Sequence, residues 1–207
     1  MAMDENESST LQSKRWRDRL WRKSEKGFFF GIPAGGILLF VVGVVSWTGF
    51  NTALEYSNTE TFCISCHVMK DNVYAEYQET IHYANRTGVR AVCADCHVPK
   101  EWFAKVGRKI QATMHEVPHW VIGTIDSREK FEARRMYLAK RVWSDMKASD
   151  SNECRNCHAL QHMDLDKQQL SSSRKHTLRR QTERGETCID CHQGVAHTLP
   201  EGWEDEF

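Results

Sequence analysis

Eight cysteines stand in this chain, and all eight fall into one spacing: Cys63-Ile64-Ser65-Cys66-His67, Cys93-Ala94-Asp95-Cys96-His97, Cys154-Arg155-Asn156-Cys157-His158 and Cys188-Ile189-Asp190-Cys191-His192. Two thiols at i and i+3 followed by a histidine form the attachment pattern of a c-type haem. Each sulfur makes a thioether to one vinyl group, and the adjacent imidazole reaches the iron. Zinc ribbons also use CxxC pairs, but zinc has no need of a histidine after every second cysteine. Disulfides across CxxC would leave the histidines unexplained. The pattern therefore points to four covalently bound haem c groups, with His67, His97, His158 and His192 as candidate iron ligands.

Low-spin electron-transfer haems take two strong axial ligands. Outside the motifs stand His82, His115, His119, His162, His176 and His197. Motifs one and two begin 30 residues apart and motifs three and four 34 apart. Within the first pair His82 precedes Cys93 by 11 residues, and within the second His176 precedes Cys188 by 12. This repetition suggests a duplicated two-haem unit and nominates His82 and His176 as distal ligands. His197 follows the last motif closely enough to fold back onto a neighbouring haem. The other three read as surface or hydrogen-bonding histidines.

These groups must be positioned by few residues. The chain has 207 residues, a formal net charge of zero and a mean hydropathy of −0.61. That balance gives no sign of a nucleic-acid partner. From residue 27 to residue 54 no side chain is charged, a run long enough to cross a bilayer as a helix. Lys14, Arg15, Arg17, Arg19, Arg22, Lys23 and Lys26 precede it, which places residues 1–26 in the cytoplasm by the positive-inside rule. A cleaved signal peptide would have a shorter apolar core, so an uncleaved anchor is expected. Trp16, Trp21 and Trp47 suit the two interfaces, and Gly31 and Gly35 have the spacing that lets two helices approach, a route to a homo-oligomer.

Residues 55–207 then house four haems on the periplasmic side, too few residues per macrocycle for an ordinary core. The expected fold is mostly α: a single N-terminal transmembrane helix followed by a haem-packed, loop-rich domain. Two longer helices are expected between the motif pairs. One runs over about 100–114, with Trp102, Phe103, Val106 and Ile110 on one stripe and Pro118 ending or bending it. The other begins at Asp126, with Glu129 as its capping partner. Phe131, Leu138, Val142 and Met146 keep one of its faces apolar, Arg134, Arg135, Lys140, Arg141 and Lys147 decorate the rest, and Ser149 to Asn152 end it.

The anchor, the four motifs, Cys63 to Met69 as CxxCHxM, Gly88 to Ala91, Gly123 to Asp126, and Val195-Ala196-His197 after the last motif together resemble the NapC/NirT family. Its members are membrane-anchored tetrahaem cytochromes that oxidise quinol and feed periplasmic reductases. The resemblance implies that Met69 is the fifth ligand of the first haem and His67 is released; the residues alone leave His67 a plausible ligand. It further implies that His197 serves the second haem, His176 the third and His82 the fourth. Lys109 and Glu116 match a lysine and an acid that the family carries near the first haem and the quinol. Seven residues apart, they share a face on a continuous helix.

The resulting expectation is an inner-membrane quinol dehydrogenase that passes electrons from menaquinol or ubiquinol to a periplasmic reductase, nitrate reductase before nitrite or another. A tethered electron shuttle without its own quinol site is the alternative. A third reading has an open haem reducing a small molecule by itself.

Overall fold

The computed structural model describes residues 16, 18–22, 32–177 and 185–206. Most of the basic N-terminal stretch, Gly31 and Phe207 lie outside the described residues. No strand occurs among the described residues, so the expected mostly α class is what they adopt.

The chain divides into two units, residues 1–55 and 56–207. The uncharged run forms helix α1, Ala34–Tyr56. At about 1.5 Å per residue its 23 residues reach the thickness of a hydrocarbon core. Its side chains are exposed nearly all round, as suits a helix solvated by lipid rather than by a protein core. Gly35 is an exception: a Cβ there would lie 3.1 Å from the Leu20 carbonyl oxygen, so this glycine admits the preceding segment.

In the second unit short helices alternate with irregular chain. After α2 (Glu60–Cys63) come a π-helix, Met69–Tyr74, and α3 (Ala75–Tyr77); α4 (Cys93–His97) carries the second motif. Two long helices follow, α5 (Trp102–Ile122) and α6 (Arg128–Ala148), then α7 (Asn152–Arg155) and α8 (Leu170–Lys175). The fourth motif begins in a 3-10 turn, Cys188–Asp190.

Three local expectations are corrected. Helix α5 is not ended by Pro118; it runs on to Ile122 because a strong cap lies beyond. Gly123 takes the left-handed conformation at φ 70°, and both its N–H and that of Thr124 donate to the His119 carbonyl. Helix α6 is capped by Ser127, whose hydroxyl accepts from Lys130 N–H, while Asp126 instead pairs with the Lys130 ammonium at 2.6 Å. Arg135 does not decorate the surface of α6: it is buried, for reasons given below.

Apart from Pro200, the buried apolar side chains among the described residues of the second unit are Tyr77, Phe131, Leu160 and Ile189. Four such residues cannot hold a unit of this size by their own transfer energy, at about 2 kcal/mol each. Apolar macrocycles attached at the motifs would supply the missing interior.

Candidate haem sites

Each attachment motif is shaped by its backbone. In α4 the Asp95 carboxylate accepts from Val92 N–H at 2.9 Å; in the fourth motif Asp190 accepts from Thr187 N–H at 2.7 Å. The second and fourth motifs thus use the same side-chain cap at the same place. Their first cysteines are matched too. Cys63 hydrogen-bonds Cys93, and Cys154 hydrogen-bonds Cys188. That bond and the nearby Lys109 hold the Cys63 thiol down to about 7, against desolvation, and the Cys154 bond brings Cys188 to about 6. Cys96 lies close enough to Cys157 and Cys154 to feel their charges, and α4 packs on α7. The motifs therefore neighbour one another in chain order, one to two to three to four.

The junction of the last two motifs rests on Ser151. It is fully buried, adopts φ 50°, and its hydroxyl accepts from Ile189 N–H. Lys147 of α6 reaches Asp190 at 2.5 Å and fixes the fourth motif from the other side.

Histidines face one another at three motifs. The ring centres are 6.2 Å apart for His97 and His197, 6.2 Å for His82 and His158, and 5.9 Å for His176 and His192. An imidazole nitrogen sits about 2 Å from a metal ion and the ring centre about 1 Å further, so two imidazoles sharing one ion stand about 6 Å apart. The three separations meet that requirement. His82 lies by the third motif, His176 by the fourth and His197 by the second, where the resemblance implies His82 at the fourth and His176 at the third.

Tautomers support the same chemistry. His82 Nδ1 lies 3.3 Å from the Val195 carbonyl, an acceptor only, so Nδ1 is the donor and Nε2 is the nitrogen left for a metal. His176 Nδ1 donates likewise to Gln168 Oε1 at 2.6 Å. His97 is half-buried, and its desolvation together with His197 and Arg108 drives its pKa down to about 4. Burial lowers His197 as well, and its Nδ1 is buried with no hydrogen-bond partner at normal geometry. Both rings are therefore neutral at ordinary pH, the form a metal needs.

The loop carrying His82 is pinned at its neck. The Tyr77 hydroxyl reaches the carbonyls of His82 and Ala91, and Ala91 N–H donates to His82 O. His197 is brought back by a turn at Gly194, φ 74°, where a Cβ would come within 2.8 Å of Leu199 Cγ.

The first motif differs. No histidine ring faces His67 among the described residues. His67 is exposed and lies near Asp126, while Met69 opens the π-helix, a form that often marks a functional position. Lys109 and Glu116 both act electrostatically on Cys63, so α5 brings them to this motif; Lys109 Nζ donates to Ser57 O at 2.8 Å. Of the other histidines, His119 bonds Thr124 Oγ1 within the α5 cap, and His115 and His162 are exposed.

Sequence reasoning missed Glu76 and Arg135. Arg135 donates to both Glu76 oxygens, to Glu132 and to Thr198 O, and Glu76 also accepts from Thr198 N–H, next to His197. The pair lies 59 residues apart, and no local pattern could have joined it. Glu60 was also missed: it binds Arg90 at 2.6 Å and Tyr74 at 3.0 Å, tying α2 to the loop before motif two.

Among the described residues no three His, Cys, Asp or Glu side chains form a metal cage, and the eight cysteines form no disulfide. Thioether attachment with paired axial ligands is the chemistry the donor set fits.

Comparison with known proteins agrees. The model of the NapC/NirT cytochrome c family, N-terminal region, matches residues 30–202. The denitrification system component NirT of Stutzerimonas stutzeri is 59% identical over 174 residues, covering 83% of this chain and 85% of that protein. The cytochrome c-type protein NapC of Paracoccus pantotrophus is 55% identical over 163 residues, 78% of this chain and 68% of that protein. NapC of Escherichia coli K12 is 48% identical over 177 residues, covering 84% and 87%. No solved structure matches the chain. With nine-tenths or so of its described residues inside the family model and its cysteines placed for thioether attachment, this chain belongs to the NapC/NirT family of cytochromes c.

Proposed function

We propose that this protein is a membrane-anchored quinol dehydrogenase that takes electrons from quinol and delivers them through four c-type haems to a periplasmic reductase. The observation that carries the reading is the series of facing histidine pairs at motifs that neighbour one another in order. Haem iron supplies one-electron steps, which divide the two-electron oxidation of quinol to quinone.

The chain's own residues do the rest. Cys63, Cys66, Cys93, Cys96, Cys154, Cys157, Cys188 and Cys191 hold the four groups. His97 with His197, His158 with His82, and His192 with His176 would hold the irons of the second, third and fourth groups. Met69 would hold the iron of the first group, leaving His67 near Asp126. A quinol that loses two electrons must release two protons, and the Glu116 carboxylate is the first acceptor for one of them. Lys109, beside Cys63, holds the quinol oxygen by its ammonium group.

The N-terminus is cytoplasmic, and residues 56–207 face the periplasm. The relatives named NapC favour nitrate reductase as the recipient, and NirT makes a denitrification reductase the second choice.

The test uses full-length holoprotein in liposomes, with reduction followed by haem absorbance. Menaquinol or ubiquinol should reduce the haems, and added periplasmic nitrate reductase should reoxidise them. Reduction by dithionite with none by quinol would replace this reading with a tethered shuttle. Fewer than four haems per chain would overturn it.

A further inference from the structure

Helix α5 is built inside out. At 3.6 residues per turn, Phe103, Ile110, Met114, Val117 and Val121 fall on one stripe about 60° wide and about 27 Å long. All five are exposed: Phe103 at 84%, Met114 at 71% and Val121 at 69%. No acidic, basic or histidine side chain of α5 falls in the half of its circumference centred on this stripe. The charged side chains lie on the other half. Arg108 donates from there to the His97 carbonyl, and Lys109 and Glu116 reach Cys63. The attachment motifs thus lie on the side of the helix opposite the stripe.

An apolar face of this length is costly in water and rare on a soluble surface. Its occupant is indicated by chain connectivity. Ser57 directly follows the last residue of α1, and Lys109 Nζ, at the middle of α5, donates to Ser57 O. The point where the chain leaves its bilayer-length helix is therefore also where α5 is held. A reductase that must come and go between turnovers docks through a more polar surface than this stripe.

We infer that α5 lies on the outer surface of the bilayer, its Phe103 to Val121 stripe sunk among the lipid headgroups and upper acyl chains. The helix then forms a second membrane contact besides α1, and its Lys109 and Glu116 sit at the lipid boundary. The inference rests on the anchored reading but not on quinol oxidation.

The experiment places full-length holoprotein at one copy per nanodisc, in phospholipid bearing a carbene precursor near the glycerol end of the acyl chain. Adducts are mapped by mass spectrometry after illumination. The expected result is adducts on Phe103, Ile110, Met114, Val117 and Val121, absent from Arg108 and from exposed Arg128, alongside adducts in residues 34–56. Adducts in 34–56 without any on the stripe would overturn the inference while leaving the anchor in place. A stripe that takes an aqueous carbene reagent at one copy per disc, and is protected only by a second copy or by added reductase, would overturn it in favour of that protein partner. Quinol-driven haem reduction, measured in the same discs, reports separately on the proposed function.

Discussion

Arg135 grips Glu76 through two hydrogen bonds of 2.6 and 3.0 Å across 59 residues of sequence, with side-chain exposures of only 10% and 17%. The same carboxylate accepts from Thr198 N–H, one residue after His197. The pair is therefore what ties helix α6, the segment after the π-helix, and the returning chain into one support for the histidine that faces the second motif. Glu132, on the next turn of α6, completes the guanidinium's bonds at 2.7 and 2.9 Å.

Breaking one side of that pair leaves a charge with little water to replace its partner. Arg135→Met should lower stability by on the order of 3 kcal/mol, and the double replacement with Glu76→Gln should recover part of the loss. Denaturant unfolding of the holoprotein, followed by far-UV circular dichroism, measures both. Equal stability of the single and double variants would mean that Glu76 is not stranded when Arg135 is lost.

The same pair makes a pH signature. Burial pushes the Glu76 pKa up, but Arg135, Thr198 N–H and the surrounding charges bring it below the ordinary carboxylate value. A group whose folded pKa is depressed contributes stability that is complete above its unfolded pKa, about 4.3, and is lost as pH falls through the lower folded value. The stability gap between the parent protein and Glu76→Gln should be constant from about pH 6 to 8 and should shrink below about pH 4. Unfolding curves at a series of pH values check the sign.

Pairing of the distal histidines can be counted. If His82 and His158 share one iron, the variant carrying both His82→Ala and His158→Ala perturbs a single haem. His82→Ala with His192→Ala perturbs two. Electron paramagnetic resonance of the oxidised protein reads the number of low-spin irons lost. The opposite assignment, with His82 on the fourth haem, reverses the two outcomes.

At the proposed quinol site Glu116→Gln should slow quinol-driven haem reduction by about a hundredfold, the lower end of what a positioned proton acceptor contributes. Dithionite reduction should be unchanged. Lys109→Met should also slow the quinol reaction, and because it loses the bond to Ser57 O it should cost about 1 kcal/mol of stability besides. Stopped-flow absorbance with both reductants separates the two effects.

Ser151 offers a structural control far from the quinol chemistry. Ser151→Ala removes the acceptor of the buried Ile189 N–H and should cost about 1–3 kcal/mol. Ser151→Gly loses the same acceptor but relieves the left-handed backbone at φ 50°, so it should cost less than alanine. Thermal unfolding of the two variants, compared side by side, gives the order.

The sequence by itself determined the kind of chemistry and the kind of chain. CxxCH is a covalent pattern held within five residues, so no tertiary information is needed to recognise a haem attachment site at Cys63, Cys93, Cys154 or Cys188. The bilayer-length helix is equally local, because twenty-odd uncharged residues are apolar in any surroundings. Helix α6 was legible almost to its ends through Ser149, although the cap fell on Ser127 rather than Asp126, a shift of one residue between two competent side chains. What only the tertiary structure decided involves partners distant in sequence. His82 meets His158 and His176 meets His192 because the Tyr77 neck and the Gln168 contact aim each ring, and the similar spacings before Cys93 and Cys188 could not tell which motif each would face. Arg135 read as a surface charge because its acidic partner Glu76 comes from another segment. The apolar stripe of α5 was visible as periodicity, but periodicity gives the angle between side chains and not the side on which the rest of the molecule lies. The bonds of Arg108 and Lys109 to backbone elsewhere fix that side and leave Phe103, Ile110 and Met114 facing away from the motifs.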